Sequence, residues 1–272
     1  MKKTAMGCLA AGSILALVGF SGAANAAQCS NTGGAFEAWK AEFSRHAAGA
    51  GIGNRGLQAL AGTSYATKTI AADRGQKSFK LSLDQFMAKR GGRAIASKGK
   101  SMKRANAQLF AAIERQYGVP AGPLIAIWGM ETGFGGYMGD SNILSAAATL
   151  AYDCRRSEFF TGHLMAALQL VDKGWMSPQA IGAAHGEVGQ TQFLPGNVIK
   201  YGVDADGDGR VDLIRSRADA LASTANFLRG HGWKAGAGYQ KGEPNFAALQ
   251  GWNAASVYQQ AIAIIGAEID AN

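Results

Sequence analysis

Residues 120–136 read PAGPLIAIWGMETGFGG, an apolar run that ends on a carboxylate and then breaks into glycines. Its two prolines suit the first turn of a helix, and Leu124, Ile127 and Glu131 then fall on one helical face. Glycines follow at once, so the helix must end there, and another chain or a ligand can come close. Glu131 therefore continues an apolar stripe instead of opposing it.

A carboxylate at the edge of an apolar wall is costly unless it is paired, exposed or used. Desolvation raises the pKa of such a group, which can then stay protonated near neutral pH and act as a general acid. The competing interpretation of Glu131 is a solvated residue near a helix end. The pattern alone leaves both open.

A second informative stretch is residues 186–196, which read GEVGQTQFLPG. Gln190 and Gln192 offer amide donors and acceptors beside Phe193, and Pro195 predicts the start of a helix. A sugar site needs such amides for hydroxyl and acetamido groups, together with an apolar face for stacking. An ordinary loop has the same composition, so this stretch by itself does not establish a site.

Most of the remaining chain also predicts helices, and the alternating patterns typical of strands are nearly absent. Helical spacing is found at residues 107–119, 157–171, 216–232 and 253–269. A Gly- and Lys-rich stretch at 90–100 is the only soft boundary. The expected fold class is therefore mainly α, with a helical part at 27–118 and a second part at 119–272.

Residues 1–26 have the pattern of a signal peptide: lysines at 2 and 3, a short apolar run, and small residues at 24–26. The apolar run is shorter than a membrane span requires. We therefore predict a soluble protein exported to the periplasm. Two cysteines remain after cleavage, and in an oxidising compartment Cys29 and Cys154 are expected to pair. Two buried free thiols are the alternative.

The chain carries a formal net charge of +8, and much of the basic excess lies between residues 68 and 104. Such a run is usually a solvated face, whereas its functional interpretation is attraction to an anionic polymer. Export and the lack of a recognition motif argue against nucleic acid. The cell wall, whose peptides carry carboxylates, remains a candidate partner.

The sequence DADGDGRVD, residues 204–212, partly matches an EF-hand calcium loop. The carboxylates at loop positions 1, 3 and 5 would come from Asp204, Asp206 and Asp208, and Arg210 would contribute its carbonyl. Position 12 is Arg215 instead of the usual Glu, so the loop is irregular. A structural calcium ion and a solvated Asp/Gly turn are the two interpretations.

Five stretches together resemble one family, the bacterial lytic murein transglycosylases of the B type. They are YGVPAGPLIAIWGMETGFGGYMGD, TLAYDCRRSEFF, GEVGQTQFLPGNVIKYGVDADGDGRVDL, DALASTANFLRGHGW and WNAASVY. The resemblance runs from about Phe36 to the C-terminus. It implies a lysozyme-like helical core with additional packed helices around a long groove. The implied substrate is peptidoglycan, cleaved without water at the β-1,4 bond from N-acetylmuramic acid to N-acetylglucosamine.

The resemblance also implies roles for single residues. The catalytic glutamate of the family falls on Glu131, and sugar-site positions fall on Gln192, Asn253 and Tyr258. Trp252 stands where many members have Tyr, which leaves a hydroxyl contact in doubt. Among the late calcium ligands available in the loop, Asp212 and Asp219, the resemblance favours Asp219. No cofactor is implied for catalysis.

Glu187 lies in the glycine-rich loop where some members of the family have a small residue. It could be a second acid/base, which would make the protein a hydrolytic muramidase, or it could hold an orienting hydrogen bond or face water. A third hypothesis for the function is not an enzyme at all but a catalytically idle wall-binding module. Arg155 and Arg156 could bind a peptide carboxylate of the wall, although a core salt bridge is the expected role.

Overall fold

The structure is a computed structural model, and it describes residues 28–75 and 81–271. The predicted signal peptide, 1–26, lies outside the described residues. So do Lys77 and Lys80 of the basic run.

The described residues form a helical fold, as the sequence predicts, with thirteen α-helices and one short 3₁₀ turn at Gly33–Ala35. The helices of the first part are α1 (Phe36–Gly49), α2 (Asn54–Ala61), α3 (Thr67–Arg74), α4 (Leu83–Arg90), α5 (Gly92–Ala105) and α6 (Ala107–Tyr117). The helices of the second part are α7 (Ala121–Thr132), α8 (Ile143–Tyr152), α9 (Ser157–Asp172), α10 (Pro195–Tyr201), α11 (Arg217–Gly230), α12 (Phe246–Trp252) and α13 (Ser256–Asp270).

Helix α7 lies at the centre of the fold. Every residue of this helix except Glu131 is buried, so the helix has no polar face. This differs from the one-sided stripe that the spacing predicts, because α5, α6, α11 and α13 all pack around it. A Cβ on Gly122 would meet the backbone oxygen of Gly266 at 2.2 Å. Glycine is therefore required where α13 crosses α7.

Strands are almost absent from the described residues. The two-residue strands β1 (Ser141–Asn142) and β2 (Ile181–Gly182) pair antiparallel. An isolated bridge joins Val188 to Phe193, which closes the glycine-rich loop just before α10. Pro195 is the first residue of α10, as predicted.

The cysteine prediction is confirmed. Cys29 and Cys154 form a disulfide with their Cα atoms 4.9 Å apart. Next to it, the backbone N–H of Ser30 donates to the carbonyl of Tyr152 at 3.0 Å. The disulfide bond therefore ties the N-terminal segment to the chain directly after α8.

The stretch at 90–100 is a junction between helices instead of a linker. Gly91 ends α4 with a φ of 70°, and α5 begins at the next residue. Because α5 packs against α7 and α13, the helical part at 27–118 and the part at 119–272 share an interface. The division at residue 118 stays a prediction.

Several cations of the basic run are paired in the fold. Lys68 contacts Asp140 at 2.5 Å, and Lys100 and Lys103 contact acidic groups near the end of α13. The Arg90 guanidinium donates to the Met130 carbonyl at 3.3 Å. Pairing of this kind favours an ordinary solvated face over a polymer-binding patch. Within the described ranges, no helix has the length and apolarity that crossing a membrane would require.

Candidate active site

A cleft of about 310 Å³ opens at the C-terminal end of α7. It brings together the end of α7, the start of α9, the glycine-rich loop and the segment after α12. Among its lining residues are Glu131, Glu187, Gln192, Trp252 and Asn253. Phe227 lines it as well, so residues from all five stretches that carry the family resemblance meet at one site.

The carboxyl of Glu131 is held by two aromatic donors. The Tyr258 hydroxyl donates to Oε1 at 2.6 Å, and the Trp252 indole N–H donates to the same oxygen at 3.2 Å. No hydrogen bond reaches Oε2 from any of the described residues. One oxygen is therefore fixed, while the other is available to a ligand in the cleft.

Burial raises the pKa of Glu131 above its usual value. The hydrogen bonds from Tyr258 and Trp252 and the charge of Arg90 oppose that shift without cancelling it. Glu131 is in the last turn of α7, where the negative end of the helix dipole also disfavours an anion. The pKa of Tyr258 is raised well above its usual value by burial and by Glu131, so its phenol remains a neutral donor.

Trp252 was the departure from the family pattern that left a hydroxyl contact in doubt. The structure shows that its indole N–H supplies a donor to Glu131. The ring packs against Phe193 and Phe227, with centroids 5.3 Å and 5.2 Å away. Tyr258 is buried, and its hydroxyl contacts the carboxyl of Glu131. Its predicted role at the sugar site stays a prediction.

Two residues in the described part of the chain have a positive φ without being glycine, and both flank Glu131. They are Phe134, at 66°, and Gln192, at 57°. Such conformations are disfavoured and tend to occur at functional sites. Gln192 is held by its side-chain amide, which donates to the carbonyl of Gly189 at 2.8 Å and to that of Met138 at 3.2 Å.

The two glutamines of the glycine-rich loop have different surroundings. Gln192 lines the cleft. Gln190 is buried, and its backbone carbonyl accepts a hydrogen bond from the Thr132 hydroxyl at 2.6 Å. Its side-chain amide donates to the Ile214 carbonyl at 3.3 Å. This placement favours a structural role for Gln190, which joins the loop to the end of α7, instead of the predicted contact with a sugar.

Charged groups also line the cleft, and the sequence analysis predicts only some of their contacts. Glu187 accepts a hydrogen bond from the His185 backbone N–H at 3.0 Å, and the His185 ring nitrogen Nδ1 lies 3.4 Å from the carboxylate of Glu187. The expected core salt bridge is present: Arg155 and Arg156 both pair with Asp73 on α3. His185 and Asp73 carry no motif signal, since nothing in the local pattern shows that α3 packs beside α8. Asp73 contacts two residues that line the cleft, Arg156 and His185.

The acidic loop brings three carboxylates together. Oxygens of Asp204, Asp206 and Asp219 lie within 4.8 Å of one another. Asp219 is fully buried, and burial raises its pKa. Asp208 lies outside this group, and its carboxylate accepts the backbone N–H of Arg210 at 2.9 Å. The late ligand that the resemblance favours, Asp219, is thus well placed for a metal, whereas Asp208 is not in the group.

Comparison with known proteins agrees with this geometry. The model of the transglycosylase SLT domain family matches residues 35–242. Membrane-bound lytic murein transglycosylase B of Escherichia coli strain K12 is 38% identical over 122 residues, which are 44% of this chain and 34% of that protein. The match thus spans about a third of the length of this relative.

Solved structures share the fold. SltB3 of Pseudomonas aeruginosa, in complex with NAG-anhNAM-pentapeptide, has a TM-score of 0.81 at 28% identity and covers 86% of this chain and 79% of its own. Slt35 of Escherichia coli, in complex with calcium, has a TM-score of 0.75 at 22% identity, covers 85% of this chain and 92% of its own, and is similar in fold alone. Because the family model matches most of its length, this chain belongs to the transglycosylase SLT domain family.

Proposed function

We propose that this protein is a peptidoglycan lytic transglycosylase. It would cleave the β-1,4 bond from N-acetylmuramic acid to N-acetylglucosamine and leave a 1,6-anhydro end. The observation that carries the proposal is the carboxyl of Glu131, which lies in a cleft, has a raised pKa and is held on one oxygen by two neutral donors.

One carboxyl is enough for this reaction. Glu131, protonated before the reaction, gives its proton to the leaving glycosidic oxygen as the bond from that oxygen to C1 breaks. The carboxylate then takes the proton of the muramic acid C6 hydroxyl, whose oxygen forms the new bond to C1 of the same ring. The attack is intramolecular, so effective molarity replaces a bound water. Ordinary glycosidases need a second carboxylate. The proposed reaction requires no cofactor.

The proposed partners are peptidoglycan glycan strands, with no nucleic acid. SltB3 has been solved with NAG-NAM-pentapeptide as well as with the anhydro ligand, and we extend that substrate class to this chain. Gln192 and Asn253 line the cleft and are the proposed sugar contacts. Recruitment by other cell-wall machinery is a further expectation.

Digestion of purified peptidoglycan in heavy-oxygen water tests the reaction type. A transglycosylase releases muropeptides that end in 1,6-anhydro-N-acetylmuramic acid, are one water lighter than a hydrolysis product and carry no label at C1. Mass spectrometry of the products reads both features. Labelled reducing ends as the main product would contradict the proposal.

A hydrolytic muramidase is the second candidate, because Glu187 lines the same cleft as Glu131. The contacts from Glu187 to the His185 backbone N–H and ring favour an orienting role over a free second base. The label experiment separates the two enzymes. Turnover of any kind excludes the idle wall-binding module.

We propose that the mature protein, residues 27–272, is exported to the periplasm. The disulfide between Cys29 and Cys154 supports this location, because such bonds persist in oxidising compartments.

We also propose a structural calcium ion in the acidic loop. Three carboxylates that gather around one point repel each other, and a divalent cation removes that cost. Asp204, Asp206 and Asp219 would hold the ion, with the Arg210 carbonyl as a further expected ligand. The proposal rests on these carboxylates, since the likeness to Slt35 concerns the fold alone.

Calcium should stabilise the native state, because it binds that state only. At a hundredfold excess over its Kd the free energy of unfolding should rise by about 3 kcal/mol, and the melting temperature should rise with it. Differential scanning fluorimetry with calcium and with a chelator measures the effect. Asp206→Asn should abolish it, whereas Asp208→Asn, outside the group of three, should weaken it less. Equal melting temperatures with calcium and with chelator would contradict the site.

A further inference from the structure

A second cavity, of about 710 Å³, adjoins the cleft. We call it the arginine groove. Its walls come from residues 135–139, directly after α7, from residues 174–181, and from one side of the acidic loop, including Arg210 and Arg215. The two cavities share a wall, because Gln192 of the cleft donates a hydrogen bond to the carbonyl of Met138 of the groove at 3.2 Å.

The groove is rich in cations. Arg55, Arg210 and Arg215 line it, and all three side chains are exposed. Their one acidic neighbour in the lining, Asp212, already accepts the backbone N–H groups of Ile214 and Arg215 at 3.0 Å and 2.9 Å.

These guanidinium groups have little to bind within the protein. Arg55 makes one long hydrogen bond, 3.4 Å, to the carbonyl of Asp172. Across residues 28–75 and 81–271, no hydrogen bond or ion pair is made by the side chain of Arg210 or Arg215. Planar guanidinium groups with so few internal contacts suit carboxylates, which they can bind through two parallel hydrogen bonds.

The rest of the groove is partly apolar. Tyr137 is 65% exposed and Ile181 is 47% exposed, and these are two of the four large hydrophobic side chains that the described residues expose. Both line the groove, together with Trp175 and Met176. A ligand that fits this surface combines carboxylates with aliphatic groups, which describes an acidic peptide better than a neutral sugar.

We propose that the arginine groove binds the carboxylate-bearing stem peptide of the glycan strand that lies in the cleft. The inference rests on the proposed function, since it takes the strand from that function and the peptide from the chemistry of the groove. It also gives Arg215 a role. Arg215 is position 12 of the acidic loop, where an EF-hand has a calcium ligand, and here it places a cation in the lining of the groove.

The test uses peptidoglycan with and without its peptides. An amidase splits purified walls into peptide-free glycan strands and released peptides. For the double variant Arg55→Gln with Arg215→Gln, we expect KM on intact walls to rise about tenfold. We expect no such rise on peptide-free strands. Arg115→Gln on α6, also an exposed arginine, is the matched control and should change neither value.

Direct binding separates this proposal from the proposed function. Calorimetry with the released peptides should show binding to the wild-type protein that weakens in the double variant and at high salt. An equal rise in KM on both substrates would identify the groove as a glycan site and overturn the proposal, as would unchanged KM on both. If the wild-type protein turned over neither substrate, the proposed function would fail, while the calorimetry would still decide whether the groove binds peptide.

Discussion

Glu131 and Asp73 are two shielded carboxyl groups with opposite surroundings. Asp73, 3% exposed, faces two arginines, and their hydrogen bonds and charges outweigh burial, so its pKa is lowered. Glu131 faces a phenol and an indole, and burial outweighs their hydrogen bonds, so its pKa is raised. Burial acts in the same direction on both. The charge of the donors decides the outcome, and only the group with neutral donors is poised to give up a proton.

The two regions also respond differently to pH. Asp73, with its folded pKa lowered, contributes stability above its unfolded pKa and loses it as pH falls through the folded value. Glu131, with its folded pKa raised, contributes stability below its unfolded pKa and loses it as pH rises through the folded value. The first behaviour is that of a structural ion pair, and the second is the one expected of the proposed general acid, whose anion is destabilised by burial.

The largest expected effect is on turnover at Glu131. Glu131→Gln keeps the size and polarity of the side chain but can neither donate nor accept the catalytic proton. Activity on purified walls should fall by ~10²–10⁴-fold or more, because the same group acts twice. Binding of glycan strands in a sedimentation assay should persist. Full activity in this variant would break the comparison, because the proton would then come from another group.

Asp73→Asn should lower the free energy of unfolding more than the loss of any single surface ion pair would. The substitution leaves Arg155 and Arg156 without their carboxylate. We expect the free energy of unfolding to fall by about 1–3 kcal/mol. This is less than for a fully buried pair, because the two arginine side chains are 47% and 37% exposed. Urea unfolding measures the loss.

The matched control for this variant is Asp140→Asn, which breaks the exposed pair with Lys68 and should change the free energy of unfolding far less, because solvent screens an exposed pair. The variant at Asp73 should also lose part of the acid-induced drop in stability. Equal losses at Asp73 and Asp140 would show that burial does not distinguish the two pairs.

Tyr258→Phe should have a smaller effect, on the rate and on its pH dependence. Losing the 2.6 Å hydrogen bond removes a contact that lowers the pKa of Glu131, so this pKa should rise further. Because the general acid must be protonated, the alkaline limb of kcat/KM should move to higher pH. We expect kcat to fall roughly five- to tenfold. A move of the limb to lower pH would contradict the assignment.

Trp252→Phe also removes a hydrogen bond to Glu131, and we expect it to have the smallest effect on the rate. Its hydrogen bond to Glu131 is longer, 3.2 Å, and phenylalanine can keep the packing against Phe193 and Phe227. We expect a two- to threefold loss of kcat, about half the effect of Tyr258→Phe on a free-energy scale. The pH–rate profile shows whether the two donors act on one group.

Local patterns in the sequence are enough to predict several elements of the fold. The helical periodicity, the proline at the start of α10 and the position of Glu131 at the end of an apolar helix can all be read from neighbouring residues, as α7 and α10 show. The two cysteines outside the predicted signal peptide predicted the disulfide. The motif order and spacing predicted the family.

The packing of the helices, in contrast, determines which distant groups meet. Tyr258 reaches Glu131 from 127 residues away, and Asp73 joins Arg155 because α3 packs against α8. It also separated Gln192, in the cleft, from Gln190, which is buried. Sequence periodicity records which face of an element is apolar, but the packing of helices fixes which side chains come within hydrogen-bonding distance. The protonation of a carboxyl depends on those neighbours, and those of Glu131 are contacts that no local pattern contains.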